Sequence, residues 1–129
     1  MGTINGNYES KTIDPKTLCI GNNEFETGTL TVAAAGEGEE ISIPNGAVLT
    51  RDADSGKYVP AEDTDGALFI LADGIITPIT AAGDYAVRVC ISGNVNRNLV
   101  TLAGDAITDA QADALRQNDI LALVVHEVQ

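Results

Sequence analysis

Cys19, Cys90 and His126 are the side chains of this chain best suited to nucleophilic or metal chemistry, and the sequence holds no other Cys or His. A nucleophilic cysteine needs a base beside it, and a zinc site needs several Cys or His ligands in short paired spacings. Neither pattern occurs, so His126 reads as a structural or surface histidine. Both cysteines read as buried or partly buried thiols rather than a disulfide, as suits a protein made in a cytoplasm. Asp52-x-Asp54-x-Gly56 has the opening of a calcium loop. However, Gly56 and Lys57 stand where an EF-hand needs Asp or Asn and then Gly. A hairpin turn explains it better. Gly36-x-Gly38 is too short for a dinucleotide fingerprint and is acidic besides. Glu39-Glu40 and Glu62-Asp63 are carboxylate pairs in turn-like stretches, which read as solvated charge. The expectation is no catalytic residue, no metal site and no cofactor: the chain is not expected to be an enzyme.

The elements that would carry these residues are mostly strands. Thr29-Leu30-Thr31-Val32 alternates as a half-buried strand does, and Ile41-Ser42-Ile43 alternates again before Pro44. Asn45-Gly46 is a turn signal. Residues 47–51 form a strand, residues 52–56 a turn, and Lys57-Tyr58-Val59 a return strand ending at Pro60. Residues 67–72 form a short apolar strand, whereas Pro78 excludes a central strand around Ile76 and Ile79. Residues 85–92 give the clearest strand. Tyr85, Val87, Val89 and Ile91 share one face, and Ala86, Arg88, Cys90 and Ser92 share the other.

One helix is expected. Thr108-Asp109-Ala110-Gln111 is a capping box, with Thr108 at the N-cap and Gln111 three residues on. The helix runs through Leu115 and Arg116, with Asn118 as its left-handed terminator, and residues 120–125 form a closing strand.

Residues 1–28 are rich in Gly and Asn, and their apolar residues stand singly, so they bury too little to fold alone. They read either as a floppy tail or as a flexible arm that orders on a partner, by adding a strand to an exposed sheet edge. Thr3, Ile4, Tyr8, Thr12, Ile13 and Leu18 are its candidate contact residues. The fold expectation is mainly β, a β-rich α+β single small domain over residues 29–129 with one short C-terminal helix.

Composition narrows the class. The net charge is -12, from 19 acidic and 7 basic residues. Such a chain is repelled by phosphate backbones and anionic lipid, which disfavours direct nucleic-acid binding and a membrane-surface role. Aromatics are 4% of residues and Trp is absent, leaving little surface for stacking bases or sugars. No apolar run is long enough to span a bilayer, and the polar start does not read as a signal peptide.

Residues 44–125 match an ordered set of motifs. Pro44-Asn45-Gly46-Ala47-Val48-Leu49-Thr50-Arg51 leads through a turn to Gly56-Lys57-Tyr58-Val59-Pro60. Thr64-Asp65-Gly66-Ala67 then precedes Ile70-Leu71-Ala72. After these come Tyr85 to Ser92-Gly93, an Ala/Leu helix and an apolar end. This succession resembles the head decoration proteins of lambda-like phages. The chain differs in its longer N-terminal region with an acidic Gly/Glu loop. It also differs in carrying Asn94-Val95-Asn96-Arg97 where the lambda protein has a Trp-containing segment. The resemblance implies a homotrimer made in the bacterial host cytoplasm. It would bind the major capsid protein on the outer surface of the expanded head, at local threefold points. There it would stabilise the shell against internal DNA pressure, with the N-terminal arm ordering on the capsid protein. The alternatives are another spike or tail-associated virion module, or a non-enzymatic carbohydrate- or protein-binding adaptor.

Overall fold

Five strands close on themselves. The computed structural model describes residues 17–33, 42–74 and 82–124. β1 (Cys19–Val32), β2 (Val48–Arg51), β3 (Tyr58–Pro60), β4 (Phe69–Asp73) and β5 (Gly83–Asn96) lie in one sheet in the order β1-β3-β2-β4-β5. A further antiparallel pairing of β1 with β5 joins the two ends into a barrel. All its pairings are antiparallel except β1–β3, which is parallel and touches at Leu30 and Tyr58. After β5 come a 3-10 turn (Arg97–Leu99), the small hairpin β6 (Thr101–Leu102) with β7 (Asp105–Ala106), and α1 (Asp109–Arg116). β8 (Ile120–Leu123) then pairs in parallel with the far end of β5. The mainly β class with one short helix is as the sequence predicts.

Two cores lie on the two faces of the barrel wall. Leu30, Val32, Ile43, Leu49, Tyr58, Leu71, Val87 and Val89 pack together on one face. Val48, Ile70, Cys90, Val95, Leu102, Ile107, Leu115 and Ile120 pack together on the other, beneath α1 and the β6–β7 hairpin. Neighbours in sequence therefore part company: Val48 from Leu49, Ile70 from Leu71, Val89 from Cys90. A strand covered on both sides has no polar face, so β2, β4 and this part of β5 read as unbroken apolar runs. β1 is covered on one side only, and its end keeps the alternation, with Leu30 and Val32 buried and Thr29 and Thr31 half-buried.

The expected hairpin is β2–β3, with Leu49 opposite Pro60 and Arg51 opposite Tyr58. Its turn is held by Asp52, which accepts hydrogen bonds from the Asp54 amide at 3.1 Å and the Ser55 hydroxyl at 3.0 Å. The carboxylate suspected of starting a calcium loop thus serves the turn. The capping box is present in both directions. Thr108 Oγ1 accepts from the Gln111 amide at 3.2 Å, and Gln111 Oε1 accepts from the Thr108 amide at 2.8 Å.

Four expectations are corrected. The first strand starts at Cys19, so residues 19–28 belong to the barrel and the body does not begin at 29. Pairing with β5 supplies the burial and hydrogen bonds that this segment lacks alone. Residues 42–44 have no strand pairing, although Ile43 is buried. β5 runs on past Ser92 to Asn96 because β8 and the start of β1 extend the ladder. The left-handed residue after α1 is Asp119 (φ 66°), not Asn118. Asn118 closes the helix with its side chain instead, donating to the Ala114 carbonyl at 3.0 Å and accepting from the Leu68 amide at 3.1 Å. Val125, His126, Glu39-Glu40, Pro78 and Ile79 lie outside the described residues.

Candidate interaction surface

The root of the N-terminal segment is fixed to the barrel. Leu18 is half-buried against the helix-side core, and its carbonyl accepts a hydrogen bond from the Asn96 amide at 2.7 Å. Its Cδ1 stands 3.5 Å from where a Cβ on Gly46 would be. Gly46 has φ +102°, and such a Cβ would also fall 2.0 Å from the Leu99 carbonyl oxygen, so only glycine fits there. Of the six candidate contact residues, Leu18 is therefore engaged in the body. Thr3, Ile4, Tyr8, Thr12 and Ile13 lie outside the described residues. Any arm that leaves the barrel ends before Thr17.

β1 offers one edge to the outside. From Cys19 to Gly28 it pairs with β5, and among the described residues no strand pairs its other side before Leu30 meets Tyr58. The register breaks between Ile20 and Glu24, where Gly21 takes φ +78° and Asn23 turns back. Asn23 Nδ2 donates to the Asn94 carbonyl at 2.8 Å and to Cys90 Sγ at 3.4 Å. A bulge followed by Glu24 and Glu26 is the pattern that blunts a sheet edge against further strands. Strand addition at this edge is discouraged by its own sequence.

Beyond the bulge a polar cluster covers the β1–β3 seam. Tyr58 is buried as a ring, and its hydroxyl donates to Glu26 and accepts from Arg51 Nη2 at 2.6 Å. Arg51 also pairs with Glu26. The guanidinium lies 4.9 Å from the Tyr58 ring centre and 5.0 Å from that of Phe69. The two rings meet edge to face at 5.1 Å. Donation from Tyr58, and then the charge of Arg51, hold the Glu26 carboxyl below its ordinary range. Burial, with the Glu26 bond added, raises the Tyr58 phenol. Nearby, Lys57 pairs with Asp84 at 2.8 Å, and Asp84 also accepts from Thr31 Oγ1 at 2.8 Å. These contacts lower the Asp84 carboxyl, the Lys57 bond most. Sequence reasoning placed none of this cluster. Its members come from four strands, and the one local hint was Arg51 and Tyr58 at the two ends of a hairpin.

Other exposed features are smaller. Phe25 is 37% exposed on β1, with the Arg88 guanidinium 4.3 Å above its ring. Cys19 and Cys90 are free thiols. Cys90 is fully buried and donates to the Ser92 carbonyl at 3.2 Å. Burial raises the Cys19 thiol further from the reactive thiolate form, and Cys90 adds to this. Among the described residues no group of three His, Cys, Asp or Glu could hold a metal ion, and no helix is long and apolar enough to cross a membrane.

Compared with protein-family models and with curated proteins, the chain matches none.

Proposed function

We propose that this protein is a non-enzymatic phage head decoration protein, acting as a homotrimer on the outer surface of an expanded capsid. The observation that carries this reading is where the matched motifs fall. The Asn45 to Pro60 stretch is the β2–β3 hairpin, Ile70-Leu71-Ala72 is β4, the Tyr85 to Gly93 stretch is in β5, and the Ala/Leu helix and apolar end are α1 and β8. The motifs that recur in order thus fall on four of the five barrel strands, all but β1, and on the helical cover, and this supports the reading.

The physics of the role is coherent. Many identical weak contacts on a symmetric shell add by multivalency, and a trimer ties several capsid subunits together. A protein that binds only the expanded shell stabilises that shell by linkage. The partner is the major capsid protein, and the residues before Thr17 are the segment that reaches it.

Light scattering of the purified protein, then co-sedimentation with expanded capsids of the parent phage, tests the reading. A trimer that pellets with shells at threefold-site stoichiometry is the expected result. A monomer that stays in the supernatant would remove the proposal. Deletion of residues 2–16 is then the informative truncation, because a deletion reaching residue 20 would also take Leu18, Cys19 and Ile20 from the barrel. The shorter deletion should abolish shell binding and leave the trimer intact.

A further inference from the structure

The chain holds two Asn-Gly pairs, Asn5-Gly6 and Asn45-Gly46. Asparagine loses its side-chain amide most readily before glycine, because no Cβ hinders the backbone nitrogen that attacks it. The fold treats the two partners of the second pair differently. The Asn45 side chain is exposed, whereas Gly46 is buried. The Gly46 amide donates to the Leu71 carbonyl at 2.7 Å, and the Gly46 carbonyl accepts from the Thr101 amide at 3.1 Å. We propose that Asn45 is a deamidation site that the folded barrel holds shut and unfolding opens, so that an excursion out of the fold is recorded as a permanent chemical change.

The nucleophile of the reaction is the Gly46 nitrogen. Hydroxide or a buffer base takes the Gly46 amide proton. The nitrogen then forms a bond to Asn45 Cγ, the bond from Cγ to the side-chain nitrogen breaks, and ammonia leaves. Water opens the resulting succinimide at either of its carbonyls. One opening gives aspartate at position 45. The other gives isoaspartate, in which the main chain runs through Cβ and Cγ.

In the native barrel this nitrogen is withheld. Its proton is engaged by the Leu71 carbonyl inside the wall, where β2 begins beside β4. Removing the proton leaves a buried carbonyl without a donor, which costs about 1–3 kcal/mol before any chemistry begins. Turning the nitrogen toward Asn45 Cγ rotates its peptide plane and breaks the bond to Leu71. The Leu99 carbonyl oxygen and Leu18 Cδ1 crowd Gly46 from the side, so the peptide has no room to swing. The native rate is therefore set by how often this stretch opens.

Isoaspartate then closes the way back. It adds one carbon to the main chain just before Gly46. Gly46 and Ala47 are both tied to Leu71, the first through its amide and the second through its carbonyl, which accepts from the Leu71 amide at 2.9 Å. Ala47 also donates to the Pro44 carbonyl at 3.1 Å, across Asn45 itself. A longer chain between Pro44 and Gly46 cannot make these bonds in one register. The unfolded molecule is thus removed from the folding equilibrium.

The intact protein, incubated at mildly alkaline pH with and without guanidinium, tests the proposal. Mass spectrometry follows the peptides that span each Asn-Gly pair. In guanidinium both pairs should lose ammonia at similar rates. Without it, Asn45 should react at least about tenfold more slowly than in guanidinium. Equal rates at Asn45 in the two conditions would overturn the proposal. The denatured samples are then diluted to refold, and the folded fraction is separated by size exclusion. Isoaspartate at position 45 should be depleted from that fraction and enriched in the remainder, and an even distribution would also overturn the proposal. Asn45→Gln, whose longer side chain closes its ring far more slowly, should refold fully after the same incubation. A loss of refolding equal to that of the wild type would place the damage elsewhere and reject the site. None of these readouts involves a capsid, so their failure is separate from that of the decoration reading.

Discussion

The ring of Tyr58 lies against the backbone of Gly28, so close that a Cβ on Gly28 would fall 2.6 Å from Tyr58 Cε2. This contact sits at the β1–β3 seam, where the ladder is one residue pair long, Leu30 with Tyr58. The barrel is thus closed there less by backbone hydrogen bonds than by one ring, its hydroxyl, and the Glu26 and Arg51 side chains around it.

Gly28→Val should therefore destabilise the protein more than Tyr58→Phe. The valine pushes into a buried ring that has little room to move, and overpacking of this kind costs about 1–3 kcal/mol. Tyr58→Phe keeps the ring and removes its two hydrogen bonds to groups that water can reach, at about 1 kcal/mol. Urea unfolding midpoints compare them. Equal losses would mean that the hydroxyl, not the close approach, holds the seam.

The helix cover can be weighed by two substitutions a turn or two apart. Leu115 is 1% exposed and faces the core beneath α1, so Leu115→Ala should cost about 2–5 kcal/mol. Thr108→Ala removes the cap and leaves the core intact, at about 1 kcal/mol. A Leu115→Ala protein as stable as the wild type by thermal denaturation would mean that α1 contributes little to the fold.

Stability should fall in acid through Glu26 and Asp84. Both carboxyls titrate lower in the folded protein than in the unfolded chain, the first chiefly through Tyr58 and the second chiefly through Lys57. The folded state therefore binds fewer protons over that range. Their contribution is fully present above the ordinary carboxyl range of about pH 4, and is lost as pH falls through the lower folded values. Glu26→Gln combined with Asp84→Asn should flatten the acid limb of a stability-against-pH curve. An unchanged slope would assign the limb to other carboxyls.

The two thiols should differ in reaction with a thiol reagent at neutral pH. Cys19 is half-buried and should react slowly, because its thiolate is disfavoured. Cys90 should react only on unfolding, since it is 0% exposed. Rapid modification of both in the native state would contradict the described packing around Asn23 and Ser92.

The sequence by itself determined the parts that depend on near neighbours. The capping box needs only Thr108 and Gln111 three residues apart, and it forms as read. The β2–β3 hairpin needs only a turn between two short apolar runs. The faces of β5 followed from period two, with Val87 and Val89 on one side and Cys90 on the other. The excess of acid over base was likewise plain from composition.

Only the tertiary structure decided where the body begins. Residues 19–28 look unable to fold because their partner is β5, 59 to 76 residues away, and no local pattern records a partner so distant. Separations of 25 to 30 residues likewise hide the Tyr58–Gly28 contact, the Arg51–Glu26 pair and the return of Leu18 to Gly46. Cover on both faces explains why Val48-Leu49 and Ile70-Leu71 show no alternation. A strand declares its buried face by contrast with an exposed one, and these strands, covered on both sides by the closed barrel and its helix, have none to show.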